Sequence, residues 1–131
     1  MNIRVLLVDA HEDARGTLAR RLERDERLQV AAQVATVHEA GRVLKDGQVD
    51  LVLLDVQSHA GTAAALCQEL RQHSDAPLVV LASFMTVEDW RALQDAGAAD
   101  YQLKHADSEQ LCNAIVRVVS QQGGAREQAR P

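Results

Sequence analysis

The chain has 131 residues, 47% hydrophobic and 25% charged, which suits one compact globular domain burying roughly two-thirds of its unfolded surface. A formal net charge of −5 argues against a direct nucleic-acid surface, which would normally show as a basic stripe, and gives no sign of an anionic-membrane binder. With aromatics at only 2%, the core has to be built from Ala, Val, Leu and Ile.

Along the chain, apolar runs rich in Val and Leu alternate with longer stretches of helical period. The first run, Ile3–Val8, predicts a strand that ends at Asp9. Asp13–Arg24 follows as a helix with Ala14, Leu18 and Leu22 on one stripe. Its mixed-sign cluster from Arg20, "RRLERDERL", reads as a solvated face. Leu28–Ala35 predicts the second strand, Val37–Lys45 a helix, and Asp50–Asp55 a third strand, again closed by a carboxylate. Thr62–His73 is helical in period, Leu78–Ala82 is a strand, and Thr86–Ala96 is a helix carrying Trp90. Two readings stay open for Trp90, partner docking and partial burial against the sheet. Tyr101–Leu103 is the fifth strand. A last helix near Asp107–Gln121 has Leu111, Ile115 and Val118 on one stripe and Asp107 or Ser108 as its N-cap. Residues 1–121 read as the domain, and 122–131, "QGGAREQARP", as a flexible tail or the start of a linker.

Continuous apolar strands such as "VDLVLLDV" are what a parallel sheet covered on both faces requires. Five strands alternating with five helices predict a doubly wound α/β sandwich. Cys67 and Cys112 sit in helical segments without CxxC spacing, which predicts buried, reduced thiols. No apolar stretch is long enough to span a membrane and no signal-peptide pattern opens the chain, so a cytoplasmic protein is expected.

In such a sheet, ligand chemistry gathers outside the carboxyl ends of the strands. Asp9, Asp55 and Lys104 are predicted to meet there. Two neighbouring carboxylates call for a cation between them, and Mg²⁺ accepts such oxygen ligands while keeping room for a phosphate. A lysine beside them neutralises phosphoryl oxygens as a point charge, and a carboxylate so placed can attack phosphorus.

Three segments carry a resemblance to a known family: "VLLVDAH" from Val5, "DLVLLD" from Asp50 and "AGAADYQLK" from Ala96. In order and separation they resemble the receiver domain of two-component response regulators, over roughly residues 3–120, with "VLLVDAH" most similar to LuxR/NarL-type receivers. The resemblance implies a flavodoxin-like five-stranded sheet of order 2-1-3-4-5. It implies Asp55 as phosphoacceptor, Lys104 as the phosphoryl-binding lysine, Asp9 as a metal ligand and Gln57 as the donor of a backbone carbonyl to Mg²⁺. Tyr101 matches the aromatic whose rotamer changes on the output face. A sensor histidine kinase is the implied phosphodonor, and a downstream protein or a linked effector domain the implied receiver of the signal. A homodimer through the first or last helices is implied by the resemblance alone. Direct contact with nucleic acid or membrane is not expected.

The departures are as informative. Ala10 replaces the second acidic ligand, so Mg²⁺ is expected to bind weakly. Ala82 occupies the position of the switch hydroxyl. Ser83, the next hydroxyl along, is the candidate to bind the phosphoryl group beside Lys104, although a continuing strand turns it to the other face. His59 and His105 stand where prolines are usual, and a trans bond is expected before His105. The leading expectation is therefore a receiver that accepts phosphate on Asp55 with atypical or impaired switching. The alternative is a phosphorylation-independent interaction module of the same fold. A softer metal held by His11, His59 and His105 is a minor reading, since no HxH or HxxxH spacing supports it. A flavodoxin-like cofactor enzyme is disfavoured by the lack of a GxGxxG or Walker loop. Self-phosphotransfer and autodephosphorylation are the most chemistry expected.

Overall fold

The computed structural model describes residues 2–56 and 63–129, with side chains described as far as Gln122. Strands β1 (Ile3–Val8), β2 (Leu28–Val34), β3 (Leu51–Asp55), β4 (Leu78–Ala82) and β5 (Asp100–Leu103) alternate with helices α1 (Glu12–Glu23), α2 (Val37–Leu44), α3 (Ala63–His73), α4 (Val87–Asp95) and α5 (Ser108–Ala129). The strands form one parallel sheet of order β2-β1-β3-β4-β5.

Alternation along the strands sorts the core into two layers. Leu6, Val8, Val52, Leu54 and Val80 face α2, α3 and α4, where they meet Ala40, Leu44, Cys67, Leu70 and Leu93. Ile3, Val5, Leu7, Leu51, Leu53 and Val79 face α1 and α5 and pack on Leu18, Leu22, Leu111 and Ile115. β3 and β4 are buried at every position, the pattern that continuous apolar runs predict for the middle of a covered sheet. β2 at the edge alternates instead, and its register shifts where β1 passes from Val5 to Leu6, leaving Ala31 opposite no partner.

Helix ends follow from their local sequence. Thr36 and Thr86 cap α2 and α4 by accepting from the N–H groups of Glu39 and Asp89. Asp107 takes the same role at α5 through Gln110 N–H, which frees Ser108 for another partner. At the end of α4, Ala98 N–H donates to the carbonyl of Leu93 and Gly97 N–H to that of Gln94. This double closure needs a left-handed residue, and Gly97 has φ +107. A Cβ there would also lie 2.7 Å from Arg71 Cγ, so glycine is required twice over in "AGAAD".

The α5 backbone stays helical to Ala129, through most of the segment read as a flexible tail. The glycine pair 123–124 costs about 1 kcal/mol per residue, but each further residue still adds a backbone hydrogen bond and Ala125–Ala129 are good helix formers. Both cysteines are buried thiols, and burial pushes Cys67 up to about 11, so it stays protonated at neutral pH.

The α1–β2 turn is tied by Asp25, whose carboxylate accepts from the Arg27 side chain at 2.7 and 2.9 Å and from the Arg27 backbone N–H at 3.0 Å. These bonds, the side-chain ones first, lower the Asp25 carboxyl to about 2 from 3.8. A carboxyl lowered by folding stabilises the fold above its unfolded value and loses that contribution as pH falls through the folded one. Asp25→Asn is therefore expected to be less stable than the parent at pH 7, with the gap closing between pH 4 and 2. Urea unfolding of both proteins across that range checks it, and a gap independent of pH would contradict it.

Candidate functional site

Register brings the site together. Val8 of β1 pairs with Leu54 of β3, so Asp9 and Asp55 follow side by side on strands about 4.8 Å apart. Both continue the series that faces α1 and α5 (Ile3, Val5, Leu7 and then Asp9; Leu51, Leu53 and then Asp55). Asp9 is 3% exposed and Asp55 5%, the only buried charged residues among those described. At the end of β5, Lys104 N–H donates to the carbonyl of Ala82, which anchors the lysine one strand beyond β4. Its side chain crosses back over the end of β4, and Nζ lies 2.7 Å from Asp55 Oδ2. Asp9, Asp55 and Lys104 line one cavity of about 360 Å³.

Asp9 turns the chain as well. Its Oδ1 accepts from His11 N–H at 2.9 Å, with His11 Nδ1 3.7 Å away. No described residue bonds Asp9 Oδ2. A buried carboxylate with one oxygen open to a cavity, beside a second carboxylate, suits a hard cation such as Mg²⁺. Ala10 is exposed at the rim and offers no side-chain oxygen, so Asp9 and Asp55 are the two side-chain carboxylates at this strand edge.

The other predicted residues spread more widely. Ala82 is buried, but its methyl lines a second cavity, of about 300 Å³, with Val56, Met85 and Leu93. Ser83 is exposed and lines neither space, so the structure does not bring it to the carboxylates. Tyr101 is half-buried on the α4 side, its ring 4.9 Å from that of Trp90 and tilted by 57°. Trp90 is thus partly buried and its edge still reaches the surface. His105 is exposed and lies along β5 near Tyr101 and Asp107, away from His11. No described peptide bond is cis. Gln57 and His59 lie outside the described residues. Among the described residues, no group of three or more His, Cys, Asp or Glu is placed to hold a metal, which leaves the histidine-metal reading without support there.

Two arginines were missed by the sequence reading. Arg21 is not simply part of a solvated face: its Nε donates to Ser108 Oγ at 2.9 Å and its Nη2 to the Ala106 carbonyl at 3.1 Å, tying α1 to the β5–α5 loop. The signal was its place three residues after Leu18, one turn along the buried stripe. Arg15 donates from Nη1 to the Asp9 carbonyl at 2.6 Å, and its Nε is buried without a partner among the described residues.

A parallel doubly wound sheet of order β2-β1-β3-β4-β5 with two carboxylates and a lysine at its carboxyl edge defines a class of flavodoxin-like α/β domains. The comparisons identify the family. The response regulator receiver domain matches residues 5–116, and the chain belongs to that family. It is 32% identical over 114 residues to the transcriptional regulatory protein LiaR of Bacillus subtilis, covering 86% of this chain and 54% of LiaR. It is also 32% identical over 115 residues to a protein-glutamate methylesterase/protein-glutamine glutaminase of Rhodospirillum centenum, covering 85% of this chain and 29% of that one. Among solved structures, a LuxR-family two-component response regulator from Aurantimonas superposes with a TM-score of 0.83 at 25% identity, over 92% of this chain and 86% of that one. The chain spans about half the length of LiaR and less than a third of the methylesterase. What it shares with both is the receiver. No described helix is long and apolar enough to cross a membrane.

Proposed function

We propose that this receiver accepts a phosphoryl group on Asp55 and that its read-out is atypical. The observation that carries the reading is the 2.7 Å contact from Lys104 to Asp55 beside the buried Asp9. An Asp55 carboxylate oxygen would attack phosphorus, forming an acyl phosphate as the phosphorus–nitrogen bond to a kinase histidine breaks. Lys104 would then move its charge onto the phosphoryl oxygens. Asp9, Asp55 and the Gln57 carbonyl would hold Mg²⁺, which when bound offsets charge on the transferring group. With Ala10 in place of a ligand, that ion binds weakly.

Ala82 supports the second half of the proposal. Its methyl cannot hydrogen-bond a phosphoryl oxygen, so phosphate on Asp55 would not draw in the β4–α4 loop through that position. The same observation favours a second reading, an interaction module that works without phosphate. In either case a sensor kinase, a downstream protein or a linked effector beyond residues 122–131, and a homodimer are the partners proposed from the family.

Incubation with acetyl phosphate and Mg²⁺, read by intact-protein mass spectrometry, is expected to add one phosphoryl mass that is absent from Asp55→Asn. No adduct on a folded parent protein would favour the interaction module.

A further inference from the structure

The cavity at the carboxylates is larger than phosphoryl transfer needs. At about 360 Å³ it falls within the range of small-molecule sites, roughly 300–1,000 Å³. It runs from the acidic rim down the inner side of α1, since Asp13 and Leu18 both line it and lie about 7 Å apart along the helix axis. Leu18 of α1, Leu81 of β4 and Leu111 of α5 give it apolar walls, and Ala14 and Ala106 leave the space open by being small. Neither a phosphoryl group nor a hydrated metal ion would use those leucines.

The polar end is unevenly matched. Asp55 has Lys104, and Arg21 is bonded to Ser108 and Ala106. Asp9 is 3% exposed, and its Oδ2 receives no bond from a described residue. Among the described residues three carboxylates (Asp9, Asp13 and Asp55) line the cavity against two cations, Arg21 and Lys104, a balance that disfavours an anionic ligand. An open carboxylate oxygen at one end of leucine walls is complementary to a positive charge on an apolar body.

We propose that this cavity binds a small organic cation, a primary ammonium on a short alkyl or ring body. The ammonium lies on Asp9 Oδ2 and the body between Leu18, Leu81 and Leu111, and the ligand competes with Mg²⁺ for Asp9. Only the competition rests on the phosphoryl reading; the binding does not.

Calorimetric titration of the full chain with methyl-, butyl- and hexylammonium, against hexanol and hexanoate, tests the proposal. Each added methylene is expected to tighten binding about fourfold until the cavity is filled. Hexylammonium should outbind hexanol and hexanoate, lose that advantage in Asp9→Asn, and weaken as Mg²⁺ is added. Ala14→Leu, which adds bulk to the wall, should weaken hexylammonium at least about tenfold and leave Mg²⁺ binding unchanged. Affinity independent of chain length or equal binding of hexanoate would overturn it, and indifference to Mg²⁺ would overturn the competition alone. The chain-length series needs no variant, so a misfolded Ala14→Leu protein leaves the test intact. A missing acetyl-phosphate adduct would sink the phosphoryl reading while the ammonium series still decided this one.

Discussion

Lys104→Met is expected to destabilise the metal-free protein by about 1–3 kcal/mol and to be rescued by removing its partner's charge. In the parent, the Lys104 ammonium lies 2.7 Å from a carboxylate that is 5% exposed and next to a second one that is 3% exposed. Without the lysine, two buried carboxylates share a cavity that has lost the Lys104 charge. Breaking a fully buried pair costs about 3–5 kcal/mol, but the Lys104 side chain is 36% exposed and the cavity admits water, which lowers the figure. Lys104→Met/Asp55→Asn should recover most of the loss, because the charge that needed the lysine is gone. Saturating Mg²⁺ should stabilise the single variant more than the parent, since a cation supplies what was deleted. Urea unfolding of the four proteins in a double-mutant cycle gives the coupling. Additive single changes would mean that the contact carries no interaction energy.

Leu54→Ala carries the largest expected loss, about 3–5 kcal/mol, or roughly 10–20 °C in Tm for a domain of this size. Leu54 is fully buried in the strand at the centre of the sheet and belongs to the layer under α2, α3 and α4. Truncation removes its transfer free energy and leaves a space that the flanking strands cannot close. It also immediately precedes Asp55, so the variant should take up phosphate more slowly even at temperatures where it remains folded. Val87→Ala is the matching control: Val87 is 69% exposed, and its loss should stay within about 0.5 kcal/mol. Thermal unfolding of both variants checks the contrast, and a Leu54→Ala loss under 1 kcal/mol would place the core elsewhere.

These expectations separate what the sequence determined from what the tertiary structure decided. The strand runs at Val5, Leu51 and Leu78 were legible because a strand covered on both faces must be apolar at every position, and few other structures ask for that. The carboxylates were legible because Asp9 and Asp55 each end such a run, and the carboxyl ends of parallel strands lie on one edge. Gly97 was present in the motif, but its double necessity, a positive φ and the approach of Arg71, required the packed α3. The same holds for Arg21, whose partners Ala106 and Ser108 lie more than eighty residues away in the chain.

Pattern along a chain reports periodicity, and periodicity fixes which face of an element is buried. It does not report distance between elements, which is set by how side chains from several helices fill a shared space. That is why the sequence could order Asp9, Asp55 and Lys104 on one rim, while only the fold could show Ala82 turned to a separate cavity, Ser83 left outside, and a leucine-walled space opening beneath the acids.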